Sequence, residues 1–167
     1  MRSLMPGRRS GKSWEDCEHA IKAIYRLNIK KTDRTEKHFE NRIAALMEMQ
    51  DFPSGERFID QRSIHDVVTR ITLFSSDHRP DMSIGKDGIA IEVKAADHGN
   101  KVKQAISQAL FYRIGYRFVI VVIIDMTDDW GIYACLRERG NTKEVQIVDD
   151  LEEHLNIFVI PIRGLWA

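Results

Sequence analysis

Arg79-Pro80-Asp81-Met82-Ser83-Ile84-Gly85-Lys86-Asp87-Gly88-Ile89-Ala90-Ile91-Glu92-Val93-Lys94 is the stretch whose reading decides the fold of this chain. Met82 and Ile84 alternate with Asp81 and Ser83; beyond Gly85-Lys86-Asp87-Gly88, Ile89, Ile91 and Val93 alternate with Ala90, Glu92 and Lys94. Alternation on both sides of a glycine-bounded turn predicts a β-hairpin. Side chains of a strand point to opposite faces in turn, so the aliphatic row faces one way and Glu92 and Lys94 the other. With Lys86-Asp87 as the loop, Ser83 pairs with Ala90 and Asp81 falls opposite Glu92. With Asp87-Gly88 as the loop, Asp81 falls opposite Lys94 and diagonal to Glu92. Both registers gather Asp81, Glu92 and Lys94 on one face, whereas a three-residue loop would reverse one strand.

Two carboxylates brought together in an ordinary sheet repel each other. A hard divalent cation such as Mg²⁺ removes that cost, since it takes a few carboxylate or carbonyl oxygens and keeps several waters. The Val93 carbonyl leaves the strand near the same spot and is a further oxygen candidate. Lys94 adds a positive charge suited to orienting a water or meeting a phosphate. The plain alternative is a solvated Asp–Lys–Glu surface cluster.

Outward from the hairpin, residues from about Lys101 to Ile114 place Val102, Ala105, Ile106, Ala109 and Leu110 on one helical stripe. Phe118 to Asp125 is a continuous apolar run and predicts a central strand covered on both faces. Upstream, helical spacing covers Trp14 to Leu27, and a second helix follows with Asp33 as cap and Glu36 as its reciprocal partner. The segment from Phe58 to Phe74 is ambiguous: Ile64, Val67, Val68 and Ile71 suit a helix, yet Val67 to Phe74 is rich in strand formers. Toward the end, short helices are expected at Trp130 to Arg139 and Val148 to Leu155, then a strand at Ile157 to Ile162.

Asp81 after Pro80, followed by Glu92-Val93-Lys94 on the next strand, resembles the PD-(D/E)XK, or restriction-endonuclease-like, nuclease superfamily. Gln108-Ala109-Leu110-Phe111-Tyr112 resembles the QxxxY motif of its RecB-type members. The resemblance implies an α/β fold with a restriction-endonuclease-like αβββαβ core, a central mixed sheet flanked by helices, over roughly residues 33 to 125, with Val67 to Phe74 as first strand. It implies a Mg²⁺-dependent deoxyribonuclease, with Mn²⁺ able to substitute. Asp81, Glu92, the Val93 carbonyl and an acid on the first core helix would hold metal, and Lys94 would position the attacking water. Glu40 best fits that helical acid, since Glu36 has a competing role as capping partner. Gln108 and Tyr112, on a polar stripe with Lys101 and Gln104, would orient the site or meet the DNA backbone. Arg79 and Lys103 are candidates for phosphate contact, with solvated surface as the default.

Composition bounds the remainder. With 167 residues, 43% of them hydrophobic, the chain has enough apolar content for one ordinary domain, read as residues 13–167 behind a flexible basic arm at 1–12. Equal numbers of acids and bases, 25 each, exclude a uniformly basic coat, so DNA affinity must come from a local basic face. Two distant cysteines fit a reducing, cytoplasmic setting and exclude a cysteine-based zinc site. No apolar run is long enough to span a bilayer, and the start lacks the apolar region of a secretory signal. Gly7 to Ser13 imitates a phosphate-binding loop but is one residue short between its glycines, with no strand before it. His98 alone among the histidines lies near the Lys94 strand end. The resemblance also implies a homodimer, as for other small enzymes of that superfamily. The apolar ending Phe158 to Trp166 is then an interface or, more plainly, core. The rival function is a non-catalytic domain of the same fold that binds nucleic acid or protein.

Overall fold

The computed structural model describes residues 9–30, 32–63, 66–138, 140 and 142–164. The expected basic arm lies largely outside them, and Lys12 already begins α1, Lys12–Ile24. Helix α2, Glu36–Glu48, is capped by Thr35, whose hydroxyl accepts from the His38 N–H. The expected capping box of Asp33 and Glu36 does not form. Asp33 instead accepts from the Lys30 N–H and the Arg42 guanidinium, which holds its carboxyl below the usual range. Glu36 is thereby released for another role.

Five strands form a mixed sheet in the order β1-β4-β5-β6-β7: β1 Phe58–Asp60, β4 Met82–Ile84, β5 Ile89–Ala96, β6 Phe118–Asp125 and β7 Ile157–Arg163. β1, β4 and β5 run antiparallel, and β5, β6 and β7 run parallel. The first strand of the sheet is therefore β1 and not the expected Val67 to Phe74. Within that segment only Ile71–Leu73 is a strand, β2, and it pairs with β3, Ser76–His78, in a separate hairpin. The mixture of strand and helix formers there reflects its small share of core: Val68 and Ile71 are buried, while Val67 is exposed. Ile64 and His65 lie outside the described residues.

Helices cover both faces of the sheet. On one, Cys17, Ala20 and Ile24 of α1 and Phe39, Ile43 and Met47 of α2 pack on Ile89, Ile91 and Val93 of β5 and Ile120 and Val122 of β6. On the other, α3, Gly99–Gly115, sets Ala105 and Ala109 near Ala90 and Ala96, joined by Leu151 of α5, Lys143–Leu155. Small side chains on both surfaces let α3 lie close to β5. All eight residues of β6 are buried between neighbouring strands and both helical layers, which accounts for its unbroken apolar run. Trp130 to Arg139 resolves into α4, Gly131–Tyr133, followed by a π-helical turn, Ala134–Glu138. Phe158 and Ile160 are buried core residues of β7, so that part of the apolar ending is spent internally.

Candidate active site

Strand lengths create the site. β4 pairs with β5 only through Met82↔Ile91, Ser83↔Ala90 and Ile84↔Ile89, so β5 continues past the start of β4 from Glu92 onward. This is the Ser83–Ala90 register, closed by a four-residue loop, Gly85 to Gly88, and one step further it sets Asp81 opposite Glu92. The loop depends on its glycines: Gly85 has φ 69°, and a Cβ on Gly88 would meet the Ile84 carbonyl oxygen at 2.6 Å.

Backbone N–H groups beyond the end of β4 need acceptors. Carboxylates supply them. Asp81 Oδ2 accepts from the Val93 N–H at 2.8 Å, and Glu36 Oε2 accepts from the Ala95 N–H at 3.1 Å. The N–H and C=O of one strand residue point to the same edge, so the Val93 carbonyl issues between these two acids. Glu36 Oε1 also accepts from Lys94 Nζ at 2.8 Å.

Burial of Glu92 raises its carboxyl to about 8, with the charge of Asp81 adding to the rise and Lys94 and the Tyr112 hydroxyl opposing it. Burial likewise lifts Asp81 to about 6; the Val93 N–H and Lys94 oppose this, and Glu40 and Glu36 reinforce it. Burial works against the Lys94 ammonium, yet Glu36, Glu92 and Asp81 outweigh it and hold its pKa above the ordinary range. Glu92 Oε2 is buried without a hydrogen-bond donor. An unmatched buried oxygen costs about 1–3 kcal/mol, and more when charged.

Tyr112 and Gln108 come from α3, one helical turn apart. Tyr112, read from its spacing as part of a polar stripe, is not on the surface. It is 1% exposed and donates its hydroxyl to the Arg79 carbonyl at 2.8 Å, fixing the chain just ahead of Pro80-Asp81. Burial, with the charges of Glu92 and Asp81, pushes Tyr112 ionisation far up, so it remains a hydroxyl. Gln108 Oε1 and Ser83 Oγ, like Glu92 Oε2, are buried without partners.

Glu40 faces this region closely enough to raise Asp81, but its carboxylate pairs with Lys37 Nζ at 2.7 Å. Glu36, set aside in the sequence because of its capping position, makes the direct contacts to β5. Only the presence of Thr35 as a competing cap could have exposed that exchange. His98 pairs with Asp97. Among the described residues, no three or more His, Cys, Asp or Glu side chains assemble into a metal-ligand group. The oxygens that do converge are hard donors with one unmatched carboxylate atom, and these fit a cation that draws its other ligands from carbonyl and water. No protein-family model, curated protein or solved structure matches this chain.

Proposed function

We propose that the chain is a metal-dependent nuclease of the PD-(D/E)XK kind, built on a restriction-endonuclease-like core and hydrolysing phosphodiester bonds in DNA. The observation that carries this reading is the buried, donor-less Oε2 of Glu92 opposite Asp81, with the Lys94 ammonium beside them. A cluster kept only for stability would match that oxygen or leave it in water.

Asp81, Glu92 and the Val93 carbonyl are the residues that would hold Mg²⁺ or Mn²⁺. Such an ion, when bound, lowers the pKa of a coordinated water and offsets charge on the phosphate. The protein's own part follows from its contacts. Asp81 is oriented by the Val93 N–H, so its carboxylate keeps one direction. Lys94, held by Glu36, presents a fixed positive charge where water and phosphate oxygen would meet. Tyr112 anchors the Arg79 carbonyl and with it the approach of Asp81. Glu40 is held by Lys37 and contributes negative charge at longer range.

Incubation of plasmid and branched DNA with Mg²⁺ or Mn²⁺ tests the proposal, with Asp81→Ala and Lys94→Ala as controls. Wild type is expected to cut and both variants to lose the activity. Equal cleavage by all three would refute a catalytic role for the site. Absence of cleavage with intact DNA binding would favour the non-catalytic binding domain.

A further inference from the structure

The hairpin that leads into Asp81 carries at its tip an aromatic ring, Phe74, that meets the fold edge-on at Phe111, 6.3 Å between ring centroids, and otherwise stands in solvent. β2 and β3 are joined by the two-residue loop Phe74-Ser75, closed by the pair Leu73↔Ser76. Both loop residues are left-handed, with φ 51° and 61°. A turn of this kind favours Asn-Gly, and a bulky aromatic is among the least suited occupants. Phe74 is also 87% exposed, more than any other large apolar residue described. Neither its conformation nor its exposure helps the fold, and such local conflicts mark functional positions.

The base of this hairpin is held firmly. Tyr116 donates its hydroxyl to the Thr69 carbonyl at 3.0 Å, just before β2, and Tyr112 donates to the Arg79 carbonyl just after β3. The rings of His78 and Phe111 lie 4.6 Å apart. Gly115 passes so near Ile71 that a Cβ would sit 2.8 Å from its Cδ1. A fixed stem thus presents an exposed tip. Asp77 is the one acid between Arg70 and Arg79; Arg70 pairs with it and the Thr72 hydroxyl donates to it, which leaves the hairpin basic on balance. Asp81 lies seven positions after Phe74 in the chain. At about 3.6 Å per extended residue, the ring lies within about 25 Å of the acids.

We propose that Phe74 stacks on an unpaired base of the nucleic acid engaged by the Asp81–Glu92 site. The substrate class is then DNA with a single-stranded or branched segment beside the cleaved bond. This inference rests on the nuclease reading. A flat ring on a polar, basic ribbon suits a base, whose π-face is available only where the duplex stack is open. Ser75, Ser76 and Asp77 surround it with exposed polar surface, whereas a protein partner requires a broader apolar patch.

The test is fluorescence anisotropy with the full chain in EDTA, so that neither metal nor cleavage enters. Forked DNA with 2-aminopurine at the junction is compared with a blunt duplex. Wild type is expected to prefer the fork and to quench the 2-aminopurine. Phe74→Ala and Phe74→Leu should lose about 5- to 100-fold of fork affinity without change toward the duplex, and Phe74→Trp should retain both affinity and quenching. Phe74→Gly, which suits φ 51°, should melt no lower than wild type while losing the fork preference. Equal fork binding by wild type, Phe74→Ala and Phe74→Leu would overturn the proposal. Retention by Phe74→Leu alone would also overturn it, in favour of an apolar protein contact. Phe74-dependent fork binding without Mg²⁺- or Mn²⁺-supported cleavage would overturn the nuclease reading and leave the stacking role standing. Cleavage that ignores Phe74 would do the reverse.

Discussion

Glu92 shows how much chemistry one position concentrates. Its carboxyl titrates near 8 and that of Asp81 near 6, both above the ordinary carboxylate range. The folded chain therefore binds these protons more tightly than the unfolded chain does. Their contribution to stability is complete below about pH 4 and is lost as pH rises through about 6 to 8. Thermal melting in EDTA should fall across that window by an amount on the order of a few kcal/mol in stability. Glu92→Gln should flatten the decline and melt above wild type at pH 8; a variant that melts lower there would refute the assigned strain. Lys94 supplies a second residue-level prediction. Glu36 raises its pKa, so Glu36→Gln should cut cleavage about 10- to 100-fold and move the alkaline limb of the pH profile downward. An unchanged pH profile would reduce Glu36 to a structural acceptor for the Ala95 N–H.

The hairpin and its covering helix are the elements that make these residues meet. Gly88→Ala would force its Cβ onto the Ile84 carbonyl, costing about 1–3 kcal/mol, and would disturb the register that sets Asp81 opposite Glu92. Stability and cleavage should fall together, as read by urea denaturation and by the plasmid assay. Full activity in a stable Gly88→Ala protein would show that the turn does not set the site. The hairpin was legible in the sequence because period-two alternation and paired glycines report directly on local geometry. Buried β6 was legible for the same reason, as an apolar run without alternation. Three features were not. Val67 to Phe74 reads as either helix or strand, and as the first core strand under the family resemblance, because β-branched residues suit any pleated surface; only tertiary pairing assigns Ile71–Leu73 to a separate hairpin. Tyr112 reads as the edge of a polar stripe, since spacing alone cannot show that the alanines of α3 draw it down onto β5. Glu36 reads as a capping partner because a competing Thr35 cap and a distant strand edge are invisible in a window of four residues.

At the scale of the molecule, charge is balanced, with 25 bases and 25 acids, so the DNA binding that the nuclease proposal requires would have to arise from local groups such as Arg70 and Arg79. Phosphate contacts make binding fade steeply with salt, log affinity falling against log salt with a slope of about −0.9 for each duplex phosphate neutralised. Binding isotherms over a salt series should show that slope, and a flat response would contradict recognition through the backbone. Among the described residues, no helix is long and apolar enough to cross a membrane. The sheet, layered between α1 and α2 on one side and α3 and α5 on the other, serves to hold the β5 edge where acids from α2, the β4 approach and β5 itself converge. The most direct test of that convergence is a crystal of the chain soaked in Mn²⁺ and measured at an anomalous wavelength. The account predicts an anomalous peak bounded by Asp81, Glu92 and the Val93 carbonyl, absent in Glu92→Gln. A peak elsewhere, or none in fully soaked crystals, would contradict it.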